Sequence, residues 1–389
     1  MKKQFLTLLL LIPLLATAQG LRLSPRPVTG AEHLLSSAEY MSRLEGRLVG
    51  LVANQSSLVG STHLVDTLLS RGVRLRAIYA PEHGFRGQVE AGYKVSDSKD
   101  PKTGLPIYSL YGKNRKPAPE QLAHIDLMLF DLQDVGCRFY TYISTLTYVM
   151  EACAERGIPL LVLDRPNPNA HYVDGPILEP AQQSFVGMHP VPIVYGMTIG
   201  EYARMVLGEG WLWMSGSAAT NQWQKIDSAE YARRTARFTL EVVPLRRYNH
   251  QMPYSLPVPP SPNLPNDQAV ALYPTLCLFE GTTLSVGRGT DWPFQVIGQD
   301  SCRLDLRKAP VGPQLHLDWV IEMYRCKGQQ DFFLRNRFFD RLAGTAALRQ
   351  QIQAGHSDQE IHLSWNADLQ RFRKVREHYL LYPDPQPQH

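Results

Sequence analysis

Short apolar runs recur along this chain, and each gives way to a cluster of polar residues. Gly46 to Ala53 ends in Asn54-Gln55-Ser56, and Val73 to Tyr79 ends in Ala80-Pro81-Glu82-His83. Ile125 to Leu132 ends in Gln133-Asp134, and Ile158 to Leu163 in Asp164-Arg165-Pro166-Asn167-Pro168. Continuous apolar runs of that length fit strands buried on both faces. Stretches of helical character lie between them, Thr62 to Ser70 and Ser144 to Arg156, the second closed by Gly157. Such alternation predicts an α/β fold, a doubly wound parallel sheet with helices on both sides. Ligands bind such sheets outside the carboxyl ends of the strands, so Asn54, Glu82, Gln133 and Asp164 fall on one functional rim. Val191 to Tyr195 reads as a further short strand, and Thr198-Ile199-Gly200-Glu201 as a capping box opening a helix.

The pattern changes near residue 250. Met252 to Pro265 holds six prolines, which excludes helix interior and central strand. This segment is the expected seam between a domain at 19–253 and a C-terminal domain at 254–389. A helix is expected at Leu317 to Tyr324. A last one is expected where Trp365, Leu369, Phe372 and Tyr379 recur at helical spacing.

Met1 to Ala18 has the make-up of a secretory signal, with Lys2 and Lys3, an apolar middle, and a small-residue end at Ala16-Thr17-Ala18. The chain is therefore expected to be exported, periplasmic or secreted, with no stable membrane insertion. Losing the two lysines lowers the formal charge from +4 to +2. That balance argues against nucleic acid as a partner. The five cysteines are scattered and contain no C-x-x-C; a Cys277–Cys302 disulfide is compatible with export.

Chemistry concentrates in a few places. Glu82-His83 puts a carboxyl group and an imidazole where a strand ends, and both are candidate catalytic groups; the competing reading is a loop ion pair of Glu82 with Arg86. Glu90 is the nearest other acid. Arg138, Tyr140 and Tyr142 fall within five residues, and aromatic faces with a guanidinium fork suit sugar rings and carboxylates. The same residues also fit a core, with Arg138 capping a helix. Asp164 beside Arg165 suits either a site or a buried ion pair. Glu280 to Asp291 is a second dense cluster, in which Gly287-Arg288-Gly289 offers N–H groups and a cation to an anion. There is no Walker loop, no dinucleotide fingerprint and no G-x-S-x-G elbow. A lone Glu-His pair lacks the spacing of a metal site, so no metal or cofactor is expected.

Several ordered stretches together resemble one family. They are Pro81-Glu82-His83-Gly84-Phe85-Arg86-Gly87, Asp131-Leu132-Gln133-Asp134-Val135-Gly136 and Arg138-Phe139-Tyr140-Thr141-Tyr142. Asp164 to Pro168, Pro260-Ser261-Pro262-Asn263-Leu264-Pro265, Glu280 to Asp291, Phe339 to Thr345 and Tyr379 to Tyr382 continue the series. The chain resembles the exo-β-N-acetylmuramidases over nearly all of its mature length. The resemblance implies a Rossmann-like domain, a smaller C-terminal α/β (α+β) domain, and a cleft between them. It implies a glycoside hydrolase releasing N-acetylmuramic acid from non-reducing ends of peptidoglycan fragments, with Glu82 as favoured catalytic group.

The substrate's lactyl carboxylate calls for an arginine clamp, for which Arg86, Arg138 and Arg288 are the candidates. Asn54, Gln133, Tyr140, Tyr142, Asp164, Asn167 and Glu280 complete the expected binding set. A glycosidase pairs two carboxyl groups, or one acid with the substrate's acetamido group. Two rival readings are an exported muropeptide-binding protein without catalysis and a metal-dependent hydrolase using His83.

Overall fold

A computed structural model of the chain describes residues 26–82, 84–86, 97–299 and 301–384. The leader reading at Met1–Ala18, the imidazole of His83 and the carboxyl of Glu90 lie outside the described residues.

Seven strands form the central sheet. They are β1 (Leu48–Ala53), β2 (Arg74–Ala80), β3 (Ser98–Lys99), β4 (Pro106–Ser109), β5 (Leu127–Asp131), β6 (Leu160–Leu163) and β7 (Leu240–Val243). Their spatial order is β7-β6-β5-β1-β2-β4-β3. Neighbours run parallel except for the two-residue edge strand β3, which is antiparallel to β4. The chain leaves β1 in one direction, to β2 and β4, then returns to β5 on the other side. The strand order therefore reverses between β1 and β5, where a doubly wound sheet opens a crevice at its carboxyl edge.

The apolar runs explain the layering. Successive side chains of a strand point to opposite faces. Leu51 of β1, Leu129 of β5 and Leu161 of β6 pack with Leu34, Leu64 and Leu68 of the helices Gly30–Ser36 and Leu64–Ser70. Their neighbours Val52, Phe130 and Val162 face the other way, toward Leu146, Val149 and Met205 of the helices Tyr142–Arg156 and Ile199–Gly208. Both faces are covered, so both residues of each apolar pair are buried. Gly157 ends its helix in the left-handed region, at φ 67°. The capping box at Thr198 and Glu201 forms, with Thr198 Oγ1 accepting from the Glu201 N–H.

Two expectations fail here. Val191 to Tyr195 is buried but is not a strand. Its backbone bonds go to separate segments: Arg138 N–H donates to the Ile193 carbonyl, Leu178 N–H to Val191, and Val194 pairs with Asp174. The disulfide joins Cys302 to Cys326, not Cys277 to Cys302, with Cα atoms 5.8 Å apart. It ties the hairpin Val296–Gln299/Cys302–Asp305 to the helix Leu317–Lys327, while Cys277 is a free thiol buried beside Glu280. Distance and Cβ direction decide such pairing, and sequence spacing carries neither.

One apolar core runs from the sheet into the C-terminal part, where Phe279, Ile321, Trp365 and Leu369 share a cluster with Phe130 and Leu146. The last helix, Asp358–Glu377, buries Trp365, Leu369 and Phe372, while Tyr379 lies past its end. No described helix is long and apolar enough to cross a membrane.

Candidate active site

The turn after β2 presents Glu82. Pro81 accepts a hydrogen bond from the Gly84 N–H at 3.1 Å, and Gly84 sits at φ 76°, which favours glycine. Glu82 is half-buried and lines a cleft of about 450 Å³ at the carboxyl edge of the sheet. Thr141, at the start of the helix Tyr142–Arg156, donates its hydroxyl to Glu82 Oε2 at 3.0 Å. Tyr111, two residues beyond β4, lines the same cleft; burial first, then the charge of Glu82, pushes its phenol up to about 12. Among the described residues no Lys or Arg forms an ion pair with Glu82. Arg86 instead grips Asp100, with Nη2 to Oδ2 at 2.9 Å, so the expected loop pair does not form.

Aromatic rings build the floor. Tyr140 and Tyr142 meet edge to face at 4.8 Å, Phe139 meets Tyr273 at 5.4 Å, and Tyr273 meets Phe294 at 5.0 Å. The proline-rich segment closes one side: the Pro260 carbonyl accepts from Tyr140 OH at 2.8 Å, and Ser261 and Asn263 reach the cleft. Opposite lies Glu280, ion-paired with Arg288. Burial raises the Glu280 carboxyl, Arg288 pulls it partly back, and the charge of Glu82 pushes it up again. Two carboxyl groups thus face one cavity, one held by a neutral hydroxyl and one by a cation.

Residues 49–268 match the sequence family described as exo-beta-N-acetylmuramidase NamZ, N-terminal, and residues 271–310 and 310–382 match its C-terminal counterpart. The chain belongs to the exo-β-N-acetylmuramidase family. It is 37% identical to the peptidoglycan beta-N-acetylmuramidase NamZ of Bacillus subtilis strain 168, across 92% of this chain and 92% of that protein. Two crystal structures of DUF1343 family proteins from Bacteroides fragilis NCTC 9343 share the fold. The first, at 37% identity, has a TM-score of 0.78 and covers 92% of this chain and 99% of its own. The second has 28% identity, a TM-score of 0.74 and the same coverage.

Within this exo-β-N-acetylmuramidase fold, the residues singled out in the sequence divide into two groups. Glu82, Tyr140, Tyr142, Glu280 and Arg288 meet at the cleft. The others lie behind it. Asn54 is buried, donating to Tyr142 OH at 2.7 Å and accepting from Ser56, so it positions an aromatic rather than facing the cavity. Gln133 is spent on the Asp134 and Pro166 carbonyls, and Asn167 on the Met197 carbonyl. Asp164 is buried under Thr198, Gly200 and Tyr382, and Arg165 pairs with Asp131 rather than with it.

Arg138 corrects the clamp expectation most sharply. It is fully buried, and its guanidinium donates to four backbone carbonyls, of Pro176, Val191, Leu342 and Ala343. Burial without a carboxylate partner lowers its pKa to about 9. It fastens the C-terminal part to the sheet domain. Arg86 is likewise committed, to Asp100.

The cleft also holds residues the sequence reading passed over: Thr141, Tyr111, Arg115, Tyr273 and Arg341. Thr141 stood inside a noted motif. Tyr111 and Arg115 follow β4, so the strand-end rule would have reached them had that strand been recognised. Among the described residues, no group of three or more His, Cys, Asp and Glu side chains is arranged to hold a metal ion.

Proposed function

We propose that Glu82 donates the proton to the leaving sugar as this enzyme, a glycosidase, releases N-acetylmuramic acid from non-reducing ends of peptidoglycan-derived saccharides. The observation that carries this reading is a carboxyl group at the carboxyl edge of the sheet, facing an aromatic-lined cavity and held by the Thr141 hydroxyl, with no Lys or Arg paired to it among the described residues. A cation in contact favours the ionised carboxylate, the wrong form for an acid. An oriented neutral donor keeps the group in place while it serves as acid and then as base.

Glu280 is the second carboxyl in reach, but its pairing with Arg288 balances its charge. The nucleophile in this reading is the substrate's own 2-acetamido oxygen, which attacks the anomeric carbon as the bond to the leaving oxygen breaks. The tyrosine rings offer faces against which the sugar packs. The likeness along the chain to a peptidoglycan beta-N-acetylmuramidase favours an enzyme over a muropeptide-binding protein. Export completes the reading, supported by the leader-like Met1–Ala18 and by the Cys302–Cys326 bond, which suits an oxidising compartment.

The test is product analysis with a muramyl-glucosaminyl disaccharide and a 4-nitrophenyl β-N-acetylmuramide. Wild type should free N-acetylmuramic acid from both, unaffected by chelator. Glu82→Gln should lose at least about 100-fold in kcat/KM on the disaccharide, the usual share of general acid catalysis, and much less on the nitrophenyl compound, whose leaving group needs little protonation. Retention of more than about a tenth of the disaccharide activity removes Glu82 from the role.

A further inference from the structure

The cleft is lined by three arginines, Arg115, Arg288 and Arg341, and they are not equivalent. Arg288 is neutralised by Glu280. Among the described residues, neither Arg115 nor Arg341 has a carboxylate within ion-pair distance. Arg115 lies over the ring of Phe185, its guanidinium carbon 4.3 Å from the centroid. Phe185 is fixed in turn: Ser184 and Gly187 close the turn that carries it through two backbone bonds of 2.9 and 3.0 Å, and its carbonyl accepts from Ser144 OH at 2.7 Å. Cation–π attraction to the ring holds the guanidinium without using up its N–H donors, which remain available to grip a carboxylate through two parallel bonds.

Two more observations bear on what this fork receives. Arg115 lines the same cleft as Glu82 and Tyr111, four residues after that tyrosine in the loop that follows β4. The Ser184 hydroxyl, on the turn beneath, is buried against the same cleft with no hydrogen-bond partner among the described residues. A buried hydroxyl left unpaired is costly, and a ligand oxygen relieves it.

We propose that Arg115, stacked on Phe185 and seconded by the Ser184 hydroxyl, is the residue that recognises the lactyl carboxylate of the substrate's terminal sugar and selects it over an uncharged sugar. This rests on the reading of the cleft given above. It reassigns a role that sequence reasoning gave to Arg86, Arg138 or Arg288.

The test compares three substrates: 4-nitrophenyl β-N-acetylmuramide, its lactyl methyl ester, and 4-nitrophenyl β-N-acetylglucosaminide. Wild type should prefer the free acid to the ester. Arg115→Gln should lose about 100-fold in kcat/KM on the free acid, as expected for one charge-assisted pair, and little on the ester, so that the preference collapses. Arg115→Lys should restore part of the preference, and Ser184→Ala should lower it severalfold. Arg115 is exposed, so an unchanged thermal midpoint is expected and is measured alongside. A wild-type acid-to-ester ratio in Arg115→Gln overturns the assignment, as does a collapse seen in Arg341→Gln but not in Arg115→Gln. If wild type frees no N-acetylmuramic acid from the free acid, the reading of the cleft fails and this assignment with it. If wild type is active but indifferent to the ester, only this assignment fails.

Discussion

Glu82 and Arg138 were both prominent in the sequence, and the fold uses them in opposite ways. Thr141 holds Glu82 through its hydroxyl, while its carbonyl accepts from the Thr145 N–H. Thr141→Val keeps the shape and removes that donor. It should lower kcat/KM on the muramyl disaccharide about tenfold, the worth of one hydrogen bond, with little change in thermal midpoint. Arg138→Met should do the reverse. It strips the donors from four buried carbonyls, at a cost on the order of 4 kcal/mol or more, read as a loss in urea-unfolding stability. Arg138→Lys should recover little, because an ammonium carries three donors and no planar fork. If either Arg138 variant raised KM while leaving stability intact, Arg138 would be a substrate contact after all. Gly344 shows how tightly this staple is seated: it sits at φ 81°, and a Cβ there would stand 2.4 Å from Arg138 Nη2. Nothing in Arg138-Phe139-Tyr140 says which of the three side chains turns inward, since that depends on what the C-terminal part lays against them.

At the level of elements, the strands at the middle of the sheet were legible and the outer ones were not. β6 is apolar throughout and β5 up to its closing Asp131, because parallel strands are covered on both faces. β4 and β7 are only partly buried and carry Pro106 and Glu241, so their pattern falls below that of a core strand. Missing β4 hid Tyr111 and Arg115. The hairpin that follows the Arg288 loop depends on a covalent tie. Gly298 N–H bonds the Ser285 carbonyl and Phe294 N–H bonds Val286, so the hairpin and the loop are one unit, pinned to the helix Leu317–Lys327 by Cys302–Cys326. A bond closing a loop of 24 residues contributes about 3 kcal/mol. Reduction, or the Cys302→Ser/Cys326→Ser double variant, should lower the thermal midpoint by roughly 5–10 °C in calorimetry. An unchanged midpoint would mean that hairpin packing alone holds this part.

For the whole molecule, buried titratable groups join the two ends of the chain. Asp164, at the end of β6, accepts from Thr198 OH at 2.7 Å and from Tyr382 OH at 2.5 Å. Burial and then the charge of Glu201 raise it to about 7. Burial also lifts Asp134 to about 6. An acid raised in the fold adds no penalty below its ordinary value and its full penalty above the raised one. His250 works in the same direction: burial disfavours its charge, but the hydrogen bond and charge of Glu201 outweigh burial and raise it. Its contribution is complete below its ordinary value near 6.5 and fades as pH rises through the raised one. All three groups therefore make the fold less stable as pH rises from 5 to 8. His63, His171 and His189 are lowered by burial and act the other way as pH rises toward 6.5, so the prediction is a difference: the stability of wild type relative to Asp164→Asn, read as thermal midpoints, should fall from pH 5 to 8. A wild-type advantage over Asp164→Asn that grew from pH 5 to 8 would contradict the sign.

The sequence by itself determined the layered α/β plan, the rim on which chemistry gathers, and the family. Those follow from local facts: apolar runs of strand length, polar clusters at their ends, and ordered motifs. Tertiary structure alone decided which of the rim residues face the cavity. Glu82 does, while Asn54, Gln133, Asp164 and Arg138 turn into the protein to satisfy buried backbone and side-chain groups. It also decided that Cys326 and not Cys277 meets Cys302. The reason is the same in each case. A side chain's role depends on partners between 33 and 218 residues away, or on a distance and direction in space, and neither is written in the local pattern.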